Sequence, residues 1–295
     1  MTQPVTLRQA QGDSKNLMDR TRLTITLEKD VLKQLDGYID GSRIRNRSHA
    51  IEYLLTKHFA PKVKKALILA GGKGLKMRPF TYEMPKCLIP VNNRPVLQYT
   101  IENLRRYDIR ELLISIGHQG GKIKEYFGDG SKFGVKITYL DQAKAETGTA
   151  APVLQAKKFF NNQPFLIYYG DVLADLDFDD LIDFHLSART LVTMALTSVK
   201  KSHDWGVVRL QGNKVYSFLE KPDARRDLSH VINAGIYVCE PKIFDYLRPE
   251  TKRLEREVFT KLVSQHKLAG YLFAGAWFDV GNPESYQQAV GSWKY

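Results

Sequence analysis

Three glycines, Gly71, Gly72 and Gly74, stand directly behind the apolar run Ala66–Ala70, and Lys73, Lys76, Arg78 and Lys86 follow them closely. Bare glycine backbone can close its N–H groups around phosphate oxygens, and the cationic side chains stand within reach of the same spot. The chemistry that suits this combination is the handling of a polyphosphate. Two better-known phosphate loops do not fit the spacing. The G-x-x-x-x-G-K-[ST] loop needs a different interval, and the dinucleotide pattern G-x-G-x-x-G would place glycine where Met77 stands. Asp171, behind the apolar run Phe165–Tyr169, and Asp279, in a late loop, are hard oxygen ligands suited to Mg²⁺ bridging phosphates.

The ordered residues Gly71, Gly72, Gly74, Pro79, Thr81, Pro85 and Lys86 resemble the signature G-G-x-G-x-R-L-x-P-x-T-x-x-x-P-K of sugar-1-phosphate nucleotidylyltransferases. Five further short motifs follow in the order expected of that family: Gly148 to Ala150, Gly170 to Val172, Glu220 to Pro222, Asn233 to Tyr237, and Trp277 to Gly281. The resemblance implies an enzyme that joins a nucleoside triphosphate (NTP) to a sugar 1-phosphate, releasing pyrophosphate by direct displacement and using Mg²⁺. Its wording is nearest the mannose-1-phosphate guanylyltransferase and glucose-1-phosphate nucleotidylyltransferase branch.

The resemblance also assigns roles. Lys76, Lys86, Asp171 and Lys221 become the catalytic set, with Lys86 on the α-phosphate and Lys221 on the phosphate of the sugar. Gly71, Gly72, Gly74, Gly148 and Thr149 would hold the nucleotide. Gly206, Glu220 and Asn233 would line the sugar pocket, and Asp171 and Asp279 would hold the metal. One position departs from the pattern. Lys76 stands where the family carries an arginine on the leaving pyrophosphate, so a planar fork becomes a single ammonium. Activity is expected to persist, because summed positive charge around the triphosphate carries most of the effect, with Arg78 or Lys73 sharing the grip.

These residues need a scaffold. From residue 64 to 295 apolar β-type runs (Ala66–Ala70, Leu112–Ile116, Val135–Leu140, Phe165–Tyr169, Leu191–Leu196) alternate with amphipathic stretches at Val96–Tyr107, Ile123–Phe127 and Phe178–Leu186. That alternation predicts an α/β domain, a doubly wound, mostly parallel, Rossmann-like sheet with its ligands at the carboxyl ends of the strands.

The front of the chain follows a different pattern. Residues 1–18 read as a disordered tail, and residues 19–60 as a small β-α-α module. Arg20–Leu27 alternates, with Leu23, Ile25 and Leu27 on one face of an expected strand; two helical patterns follow, and Asn46 is placed to cap the second. So small a unit buries too little apolar surface alone, which predicts a homodimer. The segment resembles the ribbon-helix-helix fold of the Arc and MetJ repressors. By position, that resemblance makes Arg22, Thr24 and Thr26 base-facing candidates for DNA, and Asn46, Arg47 and Ser48 phosphate-facing ones.

Charge agrees with a polyanion partner. The net charge is +12, and residues 1–65 hold thirteen Lys/Arg against seven Asp/Glu. A second reading follows, in which the chain is a DNA-binding regulator whose transferase-like domain senses nucleotide sugars. Composition excludes other classes: 43% hydrophobic and 26% charged residues suit a globular protein, and no apolar run approaches the ~20 residues of a membrane span. The polar stretch Met1–Asn16 does not read as a secretory signal. Cys87 and Cys239, with no metal-ligand spacing, read as buried reduced thiols, so a cytoplasmic setting is expected.

Overall fold

The computed structural model describes residues 23–42, 44–59, 63–142, 148–223 and 229–294. Cα proximity divides the chain into two units, Met1–Phe59 and Ala60–Tyr295. The expected tail over 1–18 lies outside the described residues, as do Arg22 and the start of the expected strand.

Within the first unit, helices α1 (Lys29–Asp36) and α2 (Arg47–Phe59) enclose, among the described residues, a small core of Leu35, Ile44 and Ala50, with Leu32, Ile39, Ile51 and Leu54 packed against it. Leu23–Leu27 form no strand here, and Leu23, Ile25 and Leu27 are exposed. The physical reason is that a strand needs a ladder partner, and the described residues of this unit supply none. Asn46 does cap α2, its Oδ1 accepting the His49 N–H at 2.9 Å. Arg47, expected to face phosphate, instead forks onto Asp36 across the helix pair, Nε to Oδ1 at 2.7 Å and Nη2 to Oδ2 at 2.8 Å. Ser48 is exposed on the first turn of α2, and Thr24 and Thr26 are exposed on the strandless segment.

The second unit begins with β1 (Lys65–Ala70), whose residues Ala66, Leu67 and Ile68 are fully buried, as a central parallel strand requires. The chain continues through α3 (Phe80–Glu83), the short ribbon β2 (Pro90–Val91) and β3 (Arg94–Pro95), α4 (Val96–Arg106), β4 (Glu111–Ile116), α5 (Gly120–Phe127), β5 (Lys136–Asp141), α6 (Ala150–Gln155) and β6 (Phe165–Tyr169). Strands β5, β4, β1 and β6 lie side by side, all parallel.

Beyond β6 come β7 (Val172–Ala174), α7 (Phe178–Ala188), β8 (Val192–Ser198), β9 (Gly206–Gln211), β10 (Lys214–Glu220), β11 (Val231–Cys239), α8 (Thr260–Ser264), β12 (Leu268–Leu272), β13 (Trp277–Asp279) and α9 (Pro283–Ser292). The nine-stranded sheet has the order β5-β4-β1-β6-β11-β8-β12-β10-β9. It corrects the mostly parallel, doubly wound expectation in its second half. Strand β11 runs antiparallel to both β6 and β8, and β9 and β10 form a hairpin turned by Gly212 at φ 60°. Strand β9 also returns to β11 at Val207 and Ile232, so this half of the sheet curls round on itself. The cause is local: a two-residue turn reverses the chain where a βαβ unit would need a helical crossover.

Apolar side chains fill both faces of the sheet. One core gathers Leu97, Ile101 and Leu104 of α4 with Phe178 and Leu181 of α7; the other gathers Val153, Phe160, Phe244 and Phe259. Cys87 and Cys239 are buried free thiols, and burial raises that of Cys87 to about 12. Among the described residues no helix is long and apolar enough to cross a membrane.

Candidate active site

Because β1 and β6 are parallel neighbours, the glycine loop after β1 and Asp171 after β6 leave the sheet at the same carboxyl edge. They open on a cleft of about 1100 Å³. Its walls include every residue assigned above to the nucleotide, the sugar, the metal or catalysis: Gly71, Gly72, Gly74, Lys76, Lys86, Gly148, Thr149, Asp171, Gly206, Glu220, Lys221, Asn233 and Asp279.

The glycine loop is anchored from below. Gly74 takes φ 62°, and its carbonyl accepts the Thr81 hydroxyl at 2.8 Å. A methyl group on Gly71 would lie 2.5 Å from Gln142 Oε1, whereas one on Gly72 would meet nothing within 4 Å. The backbone at Gly72 is thus the part that faces open space.

The charged centre is set by a two-stranded ribbon. Strand β13 pairs antiparallel with β7, Asp279 opposite Val172, and the Val280 N–H donates to the Asp171 carbonyl at 2.8 Å. This brings together two aspartates from distant parts of the sequence. Lys86 forms an ion pair with Asp171 Oδ2. A methyl group on Gly281 would stand 2.7 Å from Lys86 Nζ, 2.9 Å from Asp279 Oδ1 and 3.0 Å from Asp171 Oδ2, so two carboxylates and an ammonium share one point. Burial pulls the Lys86 ammonium below the ordinary lysine range, Asp279 opposes this, and Lys221 and Lys76 add to it. Lys76, on the rim, lies 3.8 Å from Asp204.

At the other end of the cleft, Gly206 pairs with Glu220 across the β9–β10 hairpin, and a methyl group on Gly206 would come within 2.9 Å of Glu220 Oε2. Burial raises the Glu220 carboxyl above its usual range, Glu255 adds to the shift, and Lys221 opposes it. Lys221 itself takes φ 47°, uncommon for a residue with a side chain.

Two assigned side chains are already engaged. Asn233 donates to the Tyr237 hydroxyl at 2.7 Å and accepts the Gly235 N–H at 3.0 Å, shaping the bulge in β11. Thr149 turns its hydroxyl onto Glu255 Oε2 at 2.8 Å and accepts the Leu254 N–H at 3.0 Å, so that hydroxyl points away from the role of a nucleotide donor.

Glu255, Tyr169, Gln142 and Trp205 line the cleft without having been singled out in the sequence. Glu255 is buried and accepts the hydroxyls of Tyr169 and Thr149. Burial, reinforced by the Glu255 charge, holds the Tyr169 phenol well above its usual range. The signal for Glu255 was faint: it sits in the amphipathic run Leu254–Phe259, where a charged residue reads as a solvated face.

The profile of the nucleotidyl transferase family matches residues 65–293. The chain belongs to that family. Over 228 residues it is 33% identical to a probable mannose-1-phosphate guanylyltransferase 1 of Oryza sativa subsp. japonica, covering 75% of this chain and 62% of the relative. Over 245 residues it is 32% identical to a UTP–glucose-1-phosphate uridylyltransferase of Synechocystis, covering 77% and 62%. The chain therefore spans somewhat less than two thirds of those relatives. Among solved structures, a putative glucose-1-phosphate thymidylyltransferase of Bacillus anthracis superposes with a TM-score of 0.70 at 27% identity, covering 77% of this chain and 94% of that one. The matched span is the nucleotidyl transferase domain that carries the cleft.

Proposed function

We propose that the chain transfers a nucleotidyl group from an NTP to a sugar 1-phosphate, giving an NDP-sugar and pyrophosphate. The observation that carries this reading is the meeting of Lys86, Asp171 and Asp279 at Gly281, between the glycine loop and the Glu220–Lys221 hairpin. A sugar-phosphate oxygen attacks the α-phosphorus of the NTP. The bond from that phosphorus to the oxygen bridging the β-phosphate breaks, and the electron pair leaves with pyrophosphate. Such a displacement depends chiefly on positioning and charge neutralisation.

Each end of the cleft has a part in this. The Gly71 to Gly74 backbone receives the triphosphate, Lys86 meets charge at the α-phosphate, and Lys76 meets it on the leaving group. Lys221 aligns the phosphate of the sugar, while Glu220 accepts sugar hydroxyls. Among the described residues no cluster of three or more metal-ligating side chains occurs, and two convergent carboxylates are a donor set suited to Mg²⁺ that shares its remaining positions with water and substrate phosphates. Asp171 and Asp279 would hold the ion. When bound, it supplies neutralisation of charge on the phosphates.

Pyrophosphate release from the common NTPs, each paired with mannose 1-phosphate and glucose 1-phosphate, tests the reading. Expected is one preferred pair whose reaction stops with a chelator; silence with every pair, persisting in Lys76→Arg, would refute it.

A second reading concerns the front unit. We infer a homodimer formed there by pairing of residues 20–27 from two copies, with DNA as the partner of the resulting ribbon. Exposed Leu23, Ile25 and Leu27 at alternate positions, beside a core of three buried residues, support it. Sedimentation of the full chain measures the dimer, and a gel shift that weakens with salt and with Arg22→Ala and Thr24→Ala measures the DNA partner. A monomeric full chain would remove both.

A further inference from the structure

Trp205 belongs to no motif, yet it touches both ends of the cleft. Its indole Nε1–H donates to Asp279 Oδ2 at 2.9 Å. Its ring meets that of Trp277 edge to face, with centroids 5.4 Å apart and planes at 80°. Its backbone carbonyl accepts the Lys221 N–H at 3.2 Å. Trp277 is pinned in turn, its own Nε1–H donating to the Ala234 carbonyl at 3.0 Å.

The consequence falls on Asp279. Its Oδ1 accepts the Gly281 N–H at 2.7 Å, and that donor sits two residues away on the same loop, so it travels with the aspartate. Trp205 comes from 74 residues away in the sequence and binds the other oxygen. Two donors on the two oxygens fix the carboxylate plane, and among the described residues the tryptophan is the hydrogen-bond donor that reaches it from a distant part of the chain. An indole suits the task, being a rigid donor with no acceptor of its own to misdirect the contact.

We propose that Trp205 is a positioning residue that holds the Asp279 carboxylate with Oδ1 toward Asp171 and Lys86, and thereby sets the affinity of the pair for a divalent cation. This rests on the proposed function for the ion's role. It does not rest on it for the geometry. Partner groups that hydrogen-bond a metal's ligands change affinity by 10–100-fold when removed, and Trp205→Phe removes this one while keeping an aromatic ring against Trp277.

The test uses the full chain and Mn²⁺, whose free-ion paramagnetic resonance signal falls on binding. Trp205→Phe is expected to bind Mn²⁺ ~10-fold more weakly than wild type. Its melting temperature without metal should stay unchanged. As an independent reading, wild-type protein labelled at its three indole nitrogens should show one signal that moves with Mg²⁺ and is assigned to Trp205 by elimination, using Trp277→Phe and Trp293→Phe. Equal Mn²⁺ affinity in wild type and Trp205→Phe, absence of Mn²⁺ binding by wild type, or an indole signal indifferent to Mg²⁺ would overturn the proposal. A wild type that binds Mn²⁺ more tightly than Trp205→Phe but releases no pyrophosphate would support it while sinking the transferase reading alone.

Discussion

Gly281→Ala is the sharpest perturbation the cleft offers. Gly281 lies outside the left-handed region of backbone space, so alanine is compatible with its conformation and the fold should survive, with stability within about 1 kcal/mol of wild type. The added methyl, however, lands 2.7 Å from Lys86 Nζ, 2.9 Å from Asp279 Oδ1 and 3.0 Å from Asp171 Oδ2. Each distance is ~0.5 Å or more short of ordinary contact, so all three groups must retreat together. They cannot retreat toward one another. Misplacement of reacting groups by ~1 Å costs on the order of 10²-fold in rate, or about 3 kcal/mol of barrier. The assay is steady-state pyrophosphate release with the preferred substrate pair at saturating Mg²⁺, together with a thermal melt. The expected result is kcat reduced ~100-fold in a protein that melts like wild type. An alanine variant with near wild-type kcat would refute the claim that these three groups act at one point.

Other substitutions probe separate parts. Gly148→Ala should destabilise by at least ~2 kcal/mol in denaturant unfolding, because Gly148 takes φ 137° and a methyl there would collide with the Lys252 carbonyl. Lys76→Arg should raise kcat/KM ~10-fold, the worth of about 1.5 kcal/mol from one added charged hydrogen bond to the leaving pyrophosphate. Glu220→Gln should raise the melting temperature at pH 7 to 8. The Glu220 carboxyl is raised in the folded state, so the native protein holds that proton more tightly and loses stability as pH climbs from the unfolded value past the folded one. The glutamine advantage should therefore shrink as pH falls back through that window, and melts across pH 4 to 8 read it directly.

The strands that read easily in the sequence were those with short apolar runs and a glycine behind them. Strands β1, β4 and β6 were expected within one residue of their observed limits, and with them the edge where ligands gather. Strands β9 to β12 were harder. Strand β11 is buried on both faces and broken by the Asn233 bulge, so it shows neither alternation nor a clean apolar run, and it registered only as a motif. Without it the reversal of direction was invisible. The expected strand over 20–27 depends on a ladder partner that the described residues of the unit do not provide.

Of the site, the glycines, lysines and aspartates could be singled out because they fall in ordered motifs that resemble the nucleotidylyltransferase family; alone, an aspartate reads as a turn former and a lysine as a solvated face. Trp205 and Glu255 could not be, since their meaning lies in partners 74 and 86 residues distant, Asp279 and Tyr169, and nothing local announces such pairings.

The β7–β13 ribbon behaves as a ruler. The backbone ladder sets the separation of the Asp171 and Asp279 main chains, while Trp205, from the excursion between residues 175 and 276, orients the Asp279 carboxylate. That long excursion builds the wall carrying Gly206, Glu220 and Asn233, and its loops can be rebuilt around the fixed ribbon as long as the Trp205 indole still reaches Asp279. A slip of one residue in either short strand would turn its neighbouring acid to the opposite face, so the three-residue strands tolerate far less change than the hundred residues they bracket.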